Sequence, residues 1–170
     1  YMTTFTKWFL LVAVTGTGLF FAEAKGAISL IIENDKSYLA LLIMLLFAIM
    51  TVRVGILSFE SDVAKDDEKK ELNKKAELGW FTAEHFFSFG LLGTIIGLVL
   101  ATGGSLDGSQ PVSEIVAGLK TGLNTAFYTT ICGIVFSILL QLQLLVLKNG
   151  LKKWKIWPSY SYTLLEVYWC

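Results

Sequence analysis

FFSFGLLGTIIGLVLATGG at residues 86–104, followed after a polar loop by GLKTGLNTAFYTTICGIVFSILLQLQLL at 118–145, is the stretch around which the rest of the chain is read. Both are membrane-length apolar segments with no Asp, Glu, Lys, Arg or His through their middles. In the first, Gly90, Gly93, Gly97 and Ala101 recur three or four apart, so one helical face is stripped to backbone and another helix can approach it closely, with Thr94 beside the strip. In the second, Gly122, Ala126, Thr130, Gly133, Ser137 and Gln141 form one stripe and Thr121, Thr125, Thr129 and Cys132 a neighbouring one. The remaining face, Leu123, Phe127, Ile131, Ile134, Ile138 and Leu142, is bulky and apolar. Small residues alone read as helix-packing glue. Hydroxyl and amide groups collected on adjoining stripes are costly against hydrocarbon, and therefore point to a water-accessible or partner-facing surface.

Composition places these segments in a membrane. At 170 residues, 54% hydrophobic and 16% charged, with a mean hydropathy of +0.62, the chain is too apolar for a soluble domain and fits an integral membrane protein in a lipid bilayer. A net charge of zero and the absence of a basic stripe with interleaved aromatics argue against nucleic acid. Cys132 and Cys170 form no disulfide framework, and the single histidine argues against a haem or zinc site, so no metal or cofactor is expected. No nucleophile with its base and no phosphate loop occurs; Gly103-Gly104-Ser105 lacks the lysine such a loop requires. The chain is read as not an enzyme.

Four crossings account for the hydrophobic runs, which makes the expected fold all-α. Trp8 to Ala22 is the first, short and extended by Gly26 to Ile32, although Ala22-Glu23-Ala24 also mimics the cleavage site of a secretory signal. After the polar break Glu33 to Ser37, Tyr38 to Leu57 supplies the ~20 residues a bilayer needs, with Arg53 able to snorkel near its end. Residues 1–57 are therefore a peripheral helix pair. Residues 58–79 are a charged connector whose Asp66/Lys70 and Glu71/Lys75 spacings suit a water-exposed helix. Residues 80–147 are the pore-forming pair, entered through Trp80 and Phe81, with a loop over 103–116 and a last helix from about Leu119 to Leu147. That helix would be ~43 Å long at ~1.5 Å per residue and should tilt or project. Residues 148–170 mix lysine with Trp and Tyr as an interfacial or cytoplasmic tail does. If the amino terminus is cytoplasmic, the inside regions hold Lys7, Arg53, the lysines between Lys65 and Lys75 and the tail lysines, leaving Lys25, Lys36 and Lys120 outside. The asymmetry assigns both termini and the connector to the cytoplasm.

Phe89-Gly90-Leu91-Leu92-Gly93-Thr94-Ile95-Ile96-Gly97 and, after the loop, Gly122-Leu123-Asn124-Thr125-Ala126-Phe127-Tyr128-Thr129-Thr130-Ile131-Cys132-Gly133-Ile134 resemble the paired signature of the MotA/TolQ/ExbB proton-channel family. The resemblance implies a homo-oligomeric ring in the bacterial inner membrane, typically five subunits around two helices of a single-pass MotB/TolR/ExbD-like partner that carries a membrane aspartate. It implies that Thr94 and Thr130 face that aspartate. Threonine does not titrate in the physiological range, so the proton-carrying group must come from elsewhere. Where the TolQ and ExbB branch has a membrane glutamate at the start of the last helix this chain has Thr125, which moves the reading toward stator-like members, whose four crossings it shares, or the related anti-phage motors, whose cytoplasmic tails are longer than this one.

The ion-pathway candidates are thus Thr94, Thr130, Thr125 and Glu84, the last at the cytoplasmic mouth one turn in from Trp80, with His85 read as an interface residue. The helix-packing candidates are Gly90, Gly93, Gly97, Gly122, Ala126 and Gly133. The function expected is the ring subunit of a membrane motor or channel driven by the proton-motive force; the alternative is a non-conducting scaffold that gathers other membrane proteins.

Overall fold

A computed structural model describes residues 2–103 and 111–152. All regular structure among them is helical: α1 (Thr4–Ala24), α2 (Ala27–Asn34), α3 (Leu39–Val63), α4 (Asp66–Gly103) and α5 (Val112–Lys152). Four of these, α1, α3, α4 and α5, are long and apolar enough to cross a membrane. Most of the expected tail, Cys170 included, and the central part of the expected loop lie outside the described residues.

The helix boundaries follow from local chemistry. Thr3 caps α1, its Oγ1 accepting from Thr6 N at 3.2 Å. Helix α1 ends at Ala24, and the chain turns at Gly26, whose φ of +74° suits a residue without Cβ, so the extension expected over Gly26 to Ile32 is a separate short helix, α2. Asp35 then organises the turn into α3: it is buried, and its carboxylate accepts from Ser37 N at 2.9 Å, Ser37 Oγ at 2.6 Å and Ala40 N at 2.7 Å. Helix α3 runs past Leu57 to Val63. The chain reverses at Ala64 and Lys65 and re-enters a helix at once, so most of the charged connector is the first part of α4 rather than a unit between two helices. Helix α4 is therefore ~57 Å long and α5 ~62 Å, both about twice the ~30 Å hydrocarbon thickness. Helix α5 begins at Val112, earlier than Leu119, because Pro111 and Glu114 suit a helix start.

Packing is centred on α5. Ile43, Phe47, Met50, Val54 and Leu57 of α3 make a buried stripe that meets Phe136, Leu140, Leu144 and Leu147 of α5, the Phe47 and Phe136 rings lying 4.9 Å apart. The opposite face of α3, Leu41, Leu45, Ile49, Val52 and Ile56, is exposed and apolar, as a lipid-facing surface must be. Helix α1 has no buried residue and lies at the edge of the bundle. Its amino-terminal N–H groups are met by α3: Thr4 N and Phe5 N donate to the Asp62 carboxylate, each at 2.9 Å. Thr4 also packs on Gly150. The start of α1, the end of α3, the charged start of α4 and the end of α5 therefore share one end of the bundle.

Candidate ion pathway

The antiparallel α4–α5 pair is built from residues that lack side chains where the backbones meet. A Cβ added to Gly97 would lie 2.5 Å from Gly122 O and 2.6 Å from Ala126 N. At the next level, one added to Gly133 would lie 2.6 Å from Phe86 O and 2.9 Å from Gly90 Cα. Gly93 faces the Thr129 side chain, and Ala101 fits against Gly122. All six of the glycine and alanine positions singled out for packing thus sit in this seam. Close approach is what brings two hydroxyls within reach of each other.

Those hydroxyls are Thr94 and Thr130. Their Oγ1 atoms form a short hydrogen bond across the seam. Thr94 Oγ1 also lies 3.2 Å from Gly90 O and 3.4 Å from Ala126 O; Thr130 Oγ1 lies 2.9 Å from Ala126 O and 3.4 Å from Gly90 O. Two hydroxyls own two protons. If Thr130 donates to Ala126 O, its nearest carbonyl, and Thr94 donates to Thr130, the Thr94 oxygen keeps its lone pairs for an incoming O–H. The pair is half-buried, and helical geometry sets Thr130 about 160° round α5 from Cys132, which packs toward α3.

The other threonine stripe points elsewhere. Thr125 is fully buried, its Oγ1 donating to Asn34 O at 2.9 Å and accepting from Lys36 N at 3.4 Å. Asn124 Nδ2 adds a bond to Asn34 Oδ1 at 3.3 Å, so these two residues clamp the turn between α2 and α3. Thr129 donates to Thr125 O at 2.8 Å and lies under Gly93. The structure does not bring Thr125 to the Thr94–Thr130 pair.

Glu84 lies on the same side of α4 as Thr94 but ten residues before it, ~15 Å along the axis. It borders a recess of about 430 Å³ shared with Phe87, Ile134, Ser137, Ile138 and Gln141. Ser137 Oγ donates to Ala83 O at 2.7 Å, and Gln141 Nε2 to Ser137 Oγ at 3.2 Å. His85 is turned away, its Nδ1 2.7 Å from Phe81 O and its ring against Phe81. Among the described residues no cluster of His, Cys, Asp or Glu could hold a metal ion.

Sequence reasoning passed over Gln143, which is 0% exposed and joins three helices. Trp8 Nε1–H donates to Gln143 Oε1 at 3.3 Å, and Gln143 Nε2 donates to Thr51 Oγ1 at 3.2 Å. The available signal was an amide alone among leucines on the α5 face that carries Phe136 and Leu140.

The profile of the MotA/TolQ/ExbB proton channel family matches residues 58–155, more than half of the chain, and spans the charged part of α4, the seam and the threonine pair. The chain belongs to the MotA/TolQ/ExbB proton channel family. A comparison with curated proteins and one with solved structures found no match. Membership makes this a multi-pass membrane protein of channel type rather than an enzyme family member, and extends the resemblance read from the two motifs back through the connector.

Proposed function

We propose that this MotA/TolQ/ExbB chain is the ring subunit of a motor or channel driven by the proton-motive force. An aspartate on the helix of a single-pass partner loads and releases the protons while the Thr94–Thr130 pair hydrogen-bonds its carboxyl, and the flow moves the ring against that helix. The observation that carries the reading is the hydroxyl pair itself, half-buried on the side of the α4–α5 seam away from α3 and with acceptor capacity to spare. A protonated carboxyl can donate to Thr94, and an ionised one can accept from either threonine once the pair reorganises, so one site serves both states of the acid.

The lysine and arginine distribution orients the shared end of the bundle, with both termini, toward the cytoplasm of a bacterial inner membrane. One elementary charge moving through 100 mV releases about 2.3 kcal/mol, enough to bias two packings of a smooth helix interface but not to tear one apart. Ring stoichiometry in this reading is five subunits around two partner helices.

Thr130→Val keeps the shape of the side chain and deletes the hydroxyl. With the partner present, we expect at least a tenfold fall in proton uptake by vesicles while the complex still assembles. Uptake equal to that of the unmodified chain would instead favour the scaffold reading.

A further inference from the structure

The groove on which Thr94 and Thr130 open continues toward the end of the bundle where α1 starts. Leu91, Phe87 and Glu84 follow on α4, and Ile134, Ile138 and Gln141 on α5, each three or four residues from the last. Ten residues separate Glu84 from Thr94 and eleven separate Thr130 from Gln141. The two helices therefore bring Glu84 and Gln141 to one level, ~15 Å from the hydroxyl pair, with an apolar stretch between.

At that level Glu84 and Gln141 offer acceptors, beside the one Gln141 N–H that its bond to Ser137 leaves over. Ser137 gives its proton to Ala83 O, and the Gln141 amide gives one of its own to Ser137, which leaves Gln141 Oε1 free to accept. The Glu84 carboxylate has no hydrogen bond or ion pair among the described residues. Lys148, seven residues after Gln141 on α5, sits over the Trp80 ring at 5.5 Å, and His85 on the adjacent face is held by Phe81 O. A carboxylate one turn inside an aromatic belt is stable only if hydrated or neutralised, and about 430 Å³ holds several waters at ~30 Å³ each.

We propose that this recess is a second cation station. Glu84, with the Gln141 carbonyl and water in the open recess, takes a monovalent cation, hydronium or Na⁺, before or after it passes the threonine pair. The proposal rests on the channel reading, and it assigns Glu84 a task distinct from that of Thr94 and Thr130: concentrating the cation at the mouth rather than hydrogen-bonding the partner's carboxyl.

Two measurements test it. In membranes carrying the chain with Cys170→Ser, a cysteine placed in the recess by Ile138→Cys should react at least fivefold faster with a trimethylammonium methanethiosulfonate than with the sulfonate analogue, after each rate is divided by that reagent's rate with a small free thiol. Glu84→Gln should erase that preference; equal rates before the substitution, or a preference that survives it, overturn the station. In vesicles with the partner present, Glu84→Gln should lower uptake at least fivefold at low cation concentration, with the loss relieved by raising that concentration and largely reversed by Glu84→Asp. Relief by acid alone identifies hydronium, and relief by Na⁺ identifies sodium. A loss that neither relieves, or full uptake in Glu84→Gln while Thr130→Val is silent, removes the station and leaves the channel reading intact; full uptake in both variants removes both.

Discussion

The α4–α5 seam and the attachment of α1 to α3 are both close helix contacts, and they are made in opposite ways. In the seam, backbone meets backbone over three levels of glycine and alanine, and almost nothing between the two helices can rotate out of the way. At the edge, a large side chain fills the gap: the Trp8 indole lies over Gly55, where an added Cβ would come within 2.6 Å of Cζ2, and Phe5 packs edge-on to Phe59. Polar locks hold the edge at two points, Asp62 at the start of α1 and Gln143 at its second turn. The seam therefore has one geometry, whereas the edge can adjust.

The same chemical change should accordingly cost different amounts in the two places. Gly97→Ala sets a methyl against Gly122 O and Ala126 N, so the helices must separate; we expect a loss of about 3 kcal/mol, read by reversible unfolding in mixed micelles. Gln143→Ala leaves the Trp8 N–H and Thr51 without their buried partner and should cost about 2 kcal/mol in the same measurement. Gly55→Ala meets the far edge of a side chain, the Trp8 indole, rather than backbone, and should cost about 1 kcal/mol. If the two glycine substitutions prove equal, the contrast between a rigid seam and an adjustable edge is wrong. Asp62→Asn keeps an acceptor at the α1 start but removes the charge, and should cost under about 1 kcal/mol, with the difference vanishing in high salt.

Much of this architecture was legible before any coordinates. A run of apolar residues at bilayer length fixes a crossing because no other backbone arrangement satisfies its amides in lipid, and glycine at three- and four-residue spacing marks the face a neighbouring helix uses. Helix ends were less legible. Residues 58–79 read as a charged connector because their composition changes at Trp80, yet a helix does not stop where its side chains turn polar; with no Pro to break it, α4 continues through Gly79, which packs on Leu144. Asp35 lay in the polar break and Asp62 in the charged connector with nothing in the sequence to mark their roles, since the N–H groups they receive come either from a distant helix or from a turn whose path is set by α5.

The sequence by itself determined the four hydrophobic helices and the small-residue faces, because those depend on hydropathy and on a period of 3.6. It could not separate Thr125 from Thr130, identical side chains on adjoining stripes of one helix. Tertiary structure separates them: the turn between α2 and α3 presents a carbonyl to one, and α4 presents a hydroxyl to the other.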